Sequence, residues 1–209
     1  MDKELHQLQQ LFTDGSVVVR KCGIGKVNAA LGAARLIADE RPDVIISSGC
    51  AGGNGDGIRV KDVVVSAELV YHDVYCGTAV GESVYGQVQG LPERFLGDPA
   101  LLKTAVSLQP LPDGIKIHAG LIATGDWFVD SKDKMREILS HFPEAKAIDM
   151  ESAAIAQTCY LHSVPFLSFR VISDMPLCDT DASQYHDFWQ TVAENSFQVT
   201  RTFVEAIKK

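Results

Sequence analysis

At 209 residues the chain can bury one sizeable core, and residues 1–209 read as a single domain of ordinary globular make-up, 46% hydrophobic and 22% charged. A net charge of -8 without any Lys/Arg run excludes nucleic acid and anionic membrane as partners, and no apolar stretch is long enough to span a bilayer. The N-terminal MDKELHQLQQLF is charged and amphipathic, unlike a secretion signal, and five scattered cysteines (Cys22, Cys50, Cys76, Cys159, Cys178) read as reduced thiols of a cytoplasmic protein rather than a disulfide or zinc framework.

Ser16–Cys22 (SVVVRKC) predicts a strand, and Val27–Glu40 has Ala and Leu at helical spacing. The continuous apolar run Asp43–Gly49 (DVIISSG) predicts a strand buried on both faces. Further strands are expected at Asp62–Tyr71 and Ile115–Gly125, with the irregular, Gly- and Pro-bearing segment Cys76–Pro99 between them. A loop of that length in a compact protein is usually functional. Ser131–Phe142 predicts a helix capped by Ser131. Then follow a short strand at Ala147–Met150, a helix at Glu151–His162, a strand at Val164–Ser173 and one long helix from Ala182 to Lys209. Strand–helix alternation of this kind predicts an α/β fold with a mixed, mainly parallel sheet flanked by helices.

In such sheets ligands gather at the carboxyl ends of the strands. Four predicted strands end in unusual residues: CAGG (Cys50–Gly53), DWFV (Asp126–Val129), DMES (Asp149–Ser152) and SD (Ser173–Asp174). CAGG is equally a tight turn or a place where backbone meets ligand. GIGK (Gly23–Lys26) lacks full phosphate-loop spacing and reads better as a helix entry. Phe128 has an ordinary core reading. Capping a helix N-terminus explains one of Asp149 and Glu151 well and two less well. Arg170 lies inside an apolar strand, where a buried guanidinium needs an anionic partner, and Glu151 is the natural candidate. YHD (Tyr71–Asp73) offers too few ligands for a metal and reads as structural.

GIGKVNAALGA, DVIISSGCAGG, DVVVS…YHD, GLIATGDWFV, AIDMESAAIAQ and VPFLSFRVISD resemble, in the same order and over nearly the whole chain, segments of the 5'-methylthioadenosine/S-adenosylhomocysteine nucleosidases. MES and RVISD are the specific pieces. The resemblance implies a purine nucleoside phosphorylase-like fold and a homodimer. It also implies hydrolysis of the N-glycosidic bond of adenine thionucleosides, without metal or cofactor. Carried over by position, it implies Asp174 as general acid at adenine N7 and Glu4 as the glutamate that activates water. It further implies that Glu151 and Met150 grip the ribose, that Phe128 stacks on adenine, and that the Val129 backbone reads the adenine edge. Arg170 and Ser173 orient water and acid, and Ile24 and Cys50 complete the binding set. Cys50 stands where a well-known member carries serine. Asp149 is then structural, pairing or capping nearby.

Members of that family begin with a short hydrophobic strand ending in Ala–Met before the helix that carries the glutamate, and this chain starts at that Met. Between Glu4 and Gly23 there is room for one strand where the family places a hairpin. The expectation is therefore an open sheet edge unless another segment fills the slot, a poorly held Glu4, and an authentic product that starts upstream. Two enzyme rivals share the fold, a purine nucleoside phosphorylase and a futalosine-type hydrolase. The stretch Ser47–Ser48–Gly49 lacks the cation that bacterial phosphorylases carry before this glycine, which favours water over phosphate. The rival of another class is an inactive nucleoside-binding remnant.

Overall fold

The computed structural model describes residues 2–79, 81, 83–108, 111, 114–178, 183–191 and 197–208. Thirteen elements follow one another: α1 (Asp2–Leu11), α2 (Lys26–Glu40), β1 (Ile45–Gly53), β2 (Val63–Tyr71), β3 (Phe95–Leu96), α3 (Pro99–Val106), β4 (Ile117–Thr124), α4 (Lys132–His141), β5 (Ala145–Asp149), α5 (Ser152–His162), β6 (Phe166–Asp174), α6 (Ser183–Thr191) and α7 (Gln198–Ile207).

The strands form one sheet in the order β3-β2-β4-β5-β1-β6. Its long ladders, β1–β6, β2–β4 and β4–β5, are parallel. The antiparallel contacts β1–β5 and β2–β3 are short. A further antiparallel pairing sets Val63 opposite Val171 and Val65 opposite Phe169, which joins β2 to β6. The ladder thereby closes on itself. Among the described residues every strand except the two-residue β3 has a neighbour on each side, so the expected open edge is not found. Closure removes the unpaired backbone groups that make an edge costly.

Three apolar clusters fill the layers. Ala29 and Ala33 of α2 meet Ala153 and Ala156 of α5 over Ile122 and Ile172, and the small side chains let the two helices lie close to the sheet. On another side Phe169, Phe188, Phe197 and Phe203 form an aromatic core against which Leu8 and Leu11 of α1 and Leu101 of α3 pack. The third cluster holds Met135, Ile138 and Phe142 against Leu121 and Ala123. Two helix entries, those of α3 and α4, have a local reason. Asp98 accepts from the backbone N–H of Ala100 (3.0 Å) and Leu101 (2.9 Å), and Pro99 follows as a first helical residue. Ser131 accepts from Lys134 N, as expected from the sequence.

Several expectations change. Ser16–Cys22 is not a strand, because both edges of β1 are already taken by β5 and β6 and its Val run finds no ladder partner. CAGG is not a turn but the last part of β1, whose Gly52 and Gly53 pair with Ile148 and Ala147. α3 was not expected. The predicted helix Ala182–Lys209 is described as two, α6 and α7, while Ala182, Lys209 and residues 192–196 fall outside the described residues, as does Met1. In the Cys76–Pro99 segment, Leu91 packs on the first cluster and Tyr85 on the third, leaving Val84 44% exposed.

Candidate active site

Where β1, β4, β5 and β6 end, the structure has a cleft of about 200 Å³. All ten residues singled out by the resemblance line it: Glu4, Ile24, Cys50, Phe128, Val129, Met150, Glu151, Arg170, Ser173 and Asp174. β6 delivers Arg170, Ser173 and Asp174 from a strand buried along its whole length. β1 delivers Cys50, and the segments after β4 and β5 deliver Phe128, Val129, Met150 and Glu151. Helix α1 brings Glu4, together with Leu5 and Leu8, across the open side.

Asp174 is nearly buried at 8% exposure. The Ser173 hydroxyl donates to its Oδ1 at 2.6 Å, fixing the carboxyl's orientation. Glu4 is not loose, contrary to expectation: its Oε1 accepts the Cys50 backbone N–H at 3.1 Å. Burial pushes the Cys50 thiol well above its ordinary range, and the Glu4 charge adds to this, so Cys50 is a neutral thiol and no nucleophile at neutral pH.

The partner of Arg170 differs from the expected one. Its Nε donates to Asp149 Oδ2 at 2.6 Å, whereas its Nη2 lies 4.0 Å from Glu151 Oε2. Asp149 is the last residue of β5, so its carboxylate is carried inward with the strand, while Glu151 sits two residues on, just before α5. Asp149 Oδ1 also accepts the Thr124 hydroxyl at 2.5 Å, and its Oδ2 accepts the Ser152 N–H at 3.1 Å. One carboxylate thus pairs the arginine and caps α5. Burial alone would lower the Arg170 pKa, but the charges of Asp149 and Glu151 outweigh it and hold the guanidinium firmly protonated.

Glu151 is left to face the cleft. Burial raises its carboxyl above the ordinary glutamate value, and the charge of Asp149 adds to the shift. Arg170 and the Gly25 N–H oppose it without winning. That N–H meets Glu151 Oε1 at 3.0 Å. The next one, of Lys26, donates to Asp126 Oδ1 at 2.7 Å. The start of α2 is therefore filled by the chain's own carboxylates, which supports the helix-entry reading of GIGK over a phosphate cradle. Asp73 takes the Lys26 ammonium at 2.7 Å and the Asp126 N–H at 2.8 Å, and burial lowers the His72 pKa so that the ring is neutral.

Phe128 is 48% exposed at the mouth, with Tyr185 of α6 edge-on to its ring at 5.3 Å. Tyr185 and Trp127 also line the cleft. Sequence reasoning missed both roles. Trp127 was visible within DWFV, whereas Tyr185 carries no local signal. The other lining cations are engaged: Lys21 with Asp2 at 2.5 Å and Arg20 with Glu40 at 3.0 Å. Among the described residues the cleft thus presents carboxylates, an aromatic face and a buried, paired arginine.

A mixed sheet of this kind with a carboxylate-lined cleft at the strand ends is the arrangement of a nucleoside-processing α/β enzyme, and the family model described as the phosphorylase superfamily matches residues 6–205. A 5'-methylthioadenosine/S-adenosylhomocysteine nucleosidase of Exiguobacterium sp. is 42% identical over 195 residues, covering 92% of this chain and 82% of that protein. The protein of the same name from Geobacillus kaustophilus is 41% identical, covering 92% and 80%. Among solved structures, the nucleosidase from Neisseria meningitidis in complex with methylthio-immucillin-A superimposes with a TM-score of 0.87 at 36% identity, covering 98% of this chain and 95% of that one. The nucleosidase from Colwellia psychrerythraea in complex with adenine gives 0.88 at 31% identity, covering 99% and 92%. The chain belongs to the 5'-methylthioadenosine/S-adenosylhomocysteine nucleosidase family, a family of N-glycosidic bond hydrolases.

Proposed function

We propose that this chain hydrolyses the N-glycosidic bond of 5'-methylthioadenosine and S-adenosylhomocysteine, releasing adenine. The observation that carries the reading is the convergence of Asp174, Glu151, Glu4 and Phe128 on one cleft from four separate stretches of chain. Phe128 stacks on the adenine ring and the Val129 backbone reads its edge. Asp174 gives a proton to N7 as the C1'–N9 bond breaks, so adenine leaves neutral. Ser173, donating to Asp174, holds that acid in line. Glu151, with Met150, grips the ribose hydroxyls, and its charge stabilises the oxocarbenium character that develops on the sugar. Water attacks C1', giving its proton to Glu4. Arg170, clamped by Asp149, keeps the electrostatic frame in place.

Water rather than phosphate is favoured as the nucleophile because the buried Arg170 is already paired with Asp149 and the stretch Ser47–Ser48 carries no cation before Gly49. The test is incubation with 5'-methylthioadenosine with and without phosphate. Adenine and free methylthioribose at a rate indifferent to phosphate support hydrolysis. A phosphate-dependent sugar ester would make the chain a phosphorylase, and no adenine would leave a nucleoside-binding protein.

The same reading includes a cytoplasmic, two-fold homodimer. Supporting it, α2 presents Val27 (69% exposed) and Leu31 (65%) outward, beside Ile24 at the cleft. An interface above roughly 1,000 Å² is expected. Sedimentation at micromolar concentration checks this, and a monomer contradicts it.

A further inference from the structure

Gly49 lies in β1 opposite Arg170 in the parallel ladder, so the Arg170 side chain has to cross the backbone at that point. The backbone itself does not need a glycine, since Gly49 is not among the residues with positive φ. What needs it is space. A Cβ on Gly49 would fall inside contact distance of Arg170 Nη1 and would lie 3.2 Å from Glu4 Oε1. Two side chains from opposite ends of the chain therefore share the volume that one methyl group would occupy.

We propose that Gly49 is a positioning residue for water activation: its bare α carbon lets the Arg170 guanidinium lie flat across β1 and lets the Glu4 carboxylate settle beside it. This inference rests on the hydrolase reading above. The two neighbours would not yield equally to a methyl group. Arg170 is 3% exposed and is held on its far side by Asp149 at 2.6 Å, Ser152 Oγ at 3.0 Å and Ser47 Oγ at 3.0 Å. Glu4, itself half-buried, takes the N–H of the very next residue, Cys50, so a shift of β1 at Gly49 reaches its carboxylate as well. The added Cβ would overlap Arg170 Nη1 outright but stand only a few tenths of an ångström too close to Glu4 Oε1, so the guanidinium has to shift further than the carboxylate. The atoms nearest the added Cβ belong to Arg170 and Glu4 rather than to Phe128, Glu151 or Asp174, the groups assigned to the nucleoside itself.

The substitution Gly49→Ala should thus damage the chemical step and spare binding. A misplacement of about 1 Å in a reacting group can cost on the order of 100-fold in rate. We expect kcat on 5'-methylthioadenosine to fall at least about tenfold with KM within about twofold, and the unfolding midpoint to drop as the buried Arg170 pair is disturbed. In a Glu4→Ala background, where no carboxylate remains to misplace, the same substitution should cost less in kcat than it does in the parent. The inference is overturned by a Gly49→Ala kcat within about twofold of the parent, by a KM that rises in step with the loss, by a loss that persists in full without Glu4, or by a variant that does not fold. A parent chain that releases no adenine sinks the hydrolase reading and this inference with it. An active parent indifferent to Gly49→Ala sinks only the inference.

Discussion

Asp149→Ala is the sharpest perturbation of the frame behind the cleft. It removes a carboxylate that is 5% exposed and leaves three donors facing its place: Arg170 Nε, the Thr124 hydroxyl and the Ser152 N–H. Breaking a buried ion pair from one side costs about 3–5 kcal/mol, because the surviving charge stays desolvated. Arg170 can recover part of this from Glu151, whose Oε2 already lies 4.0 Å from Nη2. The orphaned hydroxyl and N–H, at about 1–3 kcal/mol each when buried, work the other way. We therefore keep the full range. In a protein of this size each kcal/mol moves the unfolding midpoint by about 2–4 °C, so the expected drop is roughly 6–20 °C. Thermal unfolding followed by circular dichroism at neutral pH measures it. Asp133→Ala serves as control, since the Asp133–Arg136 pair stands in solvent and exposed pairs contribute little. A drop below about 2 °C for Asp149→Ala would refute the buried-pair argument.

Asp174→Asn should lower adenine release roughly 100- to 10,000-fold while adenine still binds, and a variant retaining half the parent rate would remove Asp174 from the acid role. The raised Glu151 carboxyl makes a linkage prediction. Ionised Glu151 is the costly form in the folded protein, so the stability it contributes is present below its ordinary value of 4.5 and is lost as pH rises through the raised one. Glu151→Gln should therefore gain on the parent in unfolding midpoint as pH climbs from about 4 to 7, and a constant difference across that range would contradict the shift.

Much of this was legible because the parallel core strands are written as apolar runs: β2 and β4 fall inside the expected segments, while β1 and β6 overlap DVIISSG and VPFLSFRVIS and run on to Gly53 and Asp174. The site was legible for the same reason, since chemistry-bearing residues follow those runs directly. Ser16–Cys22 shows the limit. Three consecutive valines have strand propensity, but a strand exists only where an edge is free, and closure of the ladder leaves none beside β1. The same long-range logic hid the true partner of Arg170. Spacing alone could not choose between Asp149 and Glu151, because the choice depends on the register that sets β5 beside β1 and β4. α3 was missed although its signal was local, an Asp98–Pro99 start before a short amphipathic stretch.

Gly25, at the entrance of α2, has no capping side chain of its own. The carboxylates that meet the first N–H groups of this helix come from Asp126 and Glu151, 100 and 126 positions away along the chain. During synthesis the body of α2 can wind as soon as Glu40 has left the ribosome, yet its first turn must wait for β4 and β5 to emerge and dock. Contacts across such spans are slow to form, because the loop they close must be ordered first. The clasp that holds Glu151 toward the cleft is therefore among the late events of folding. Stretches of the nascent chain that end before residue 151 leave this turn without its carboxylate, and the cleft is complete only once β6 has followed with Asp174, more than four fifths of the way along the 209 residues.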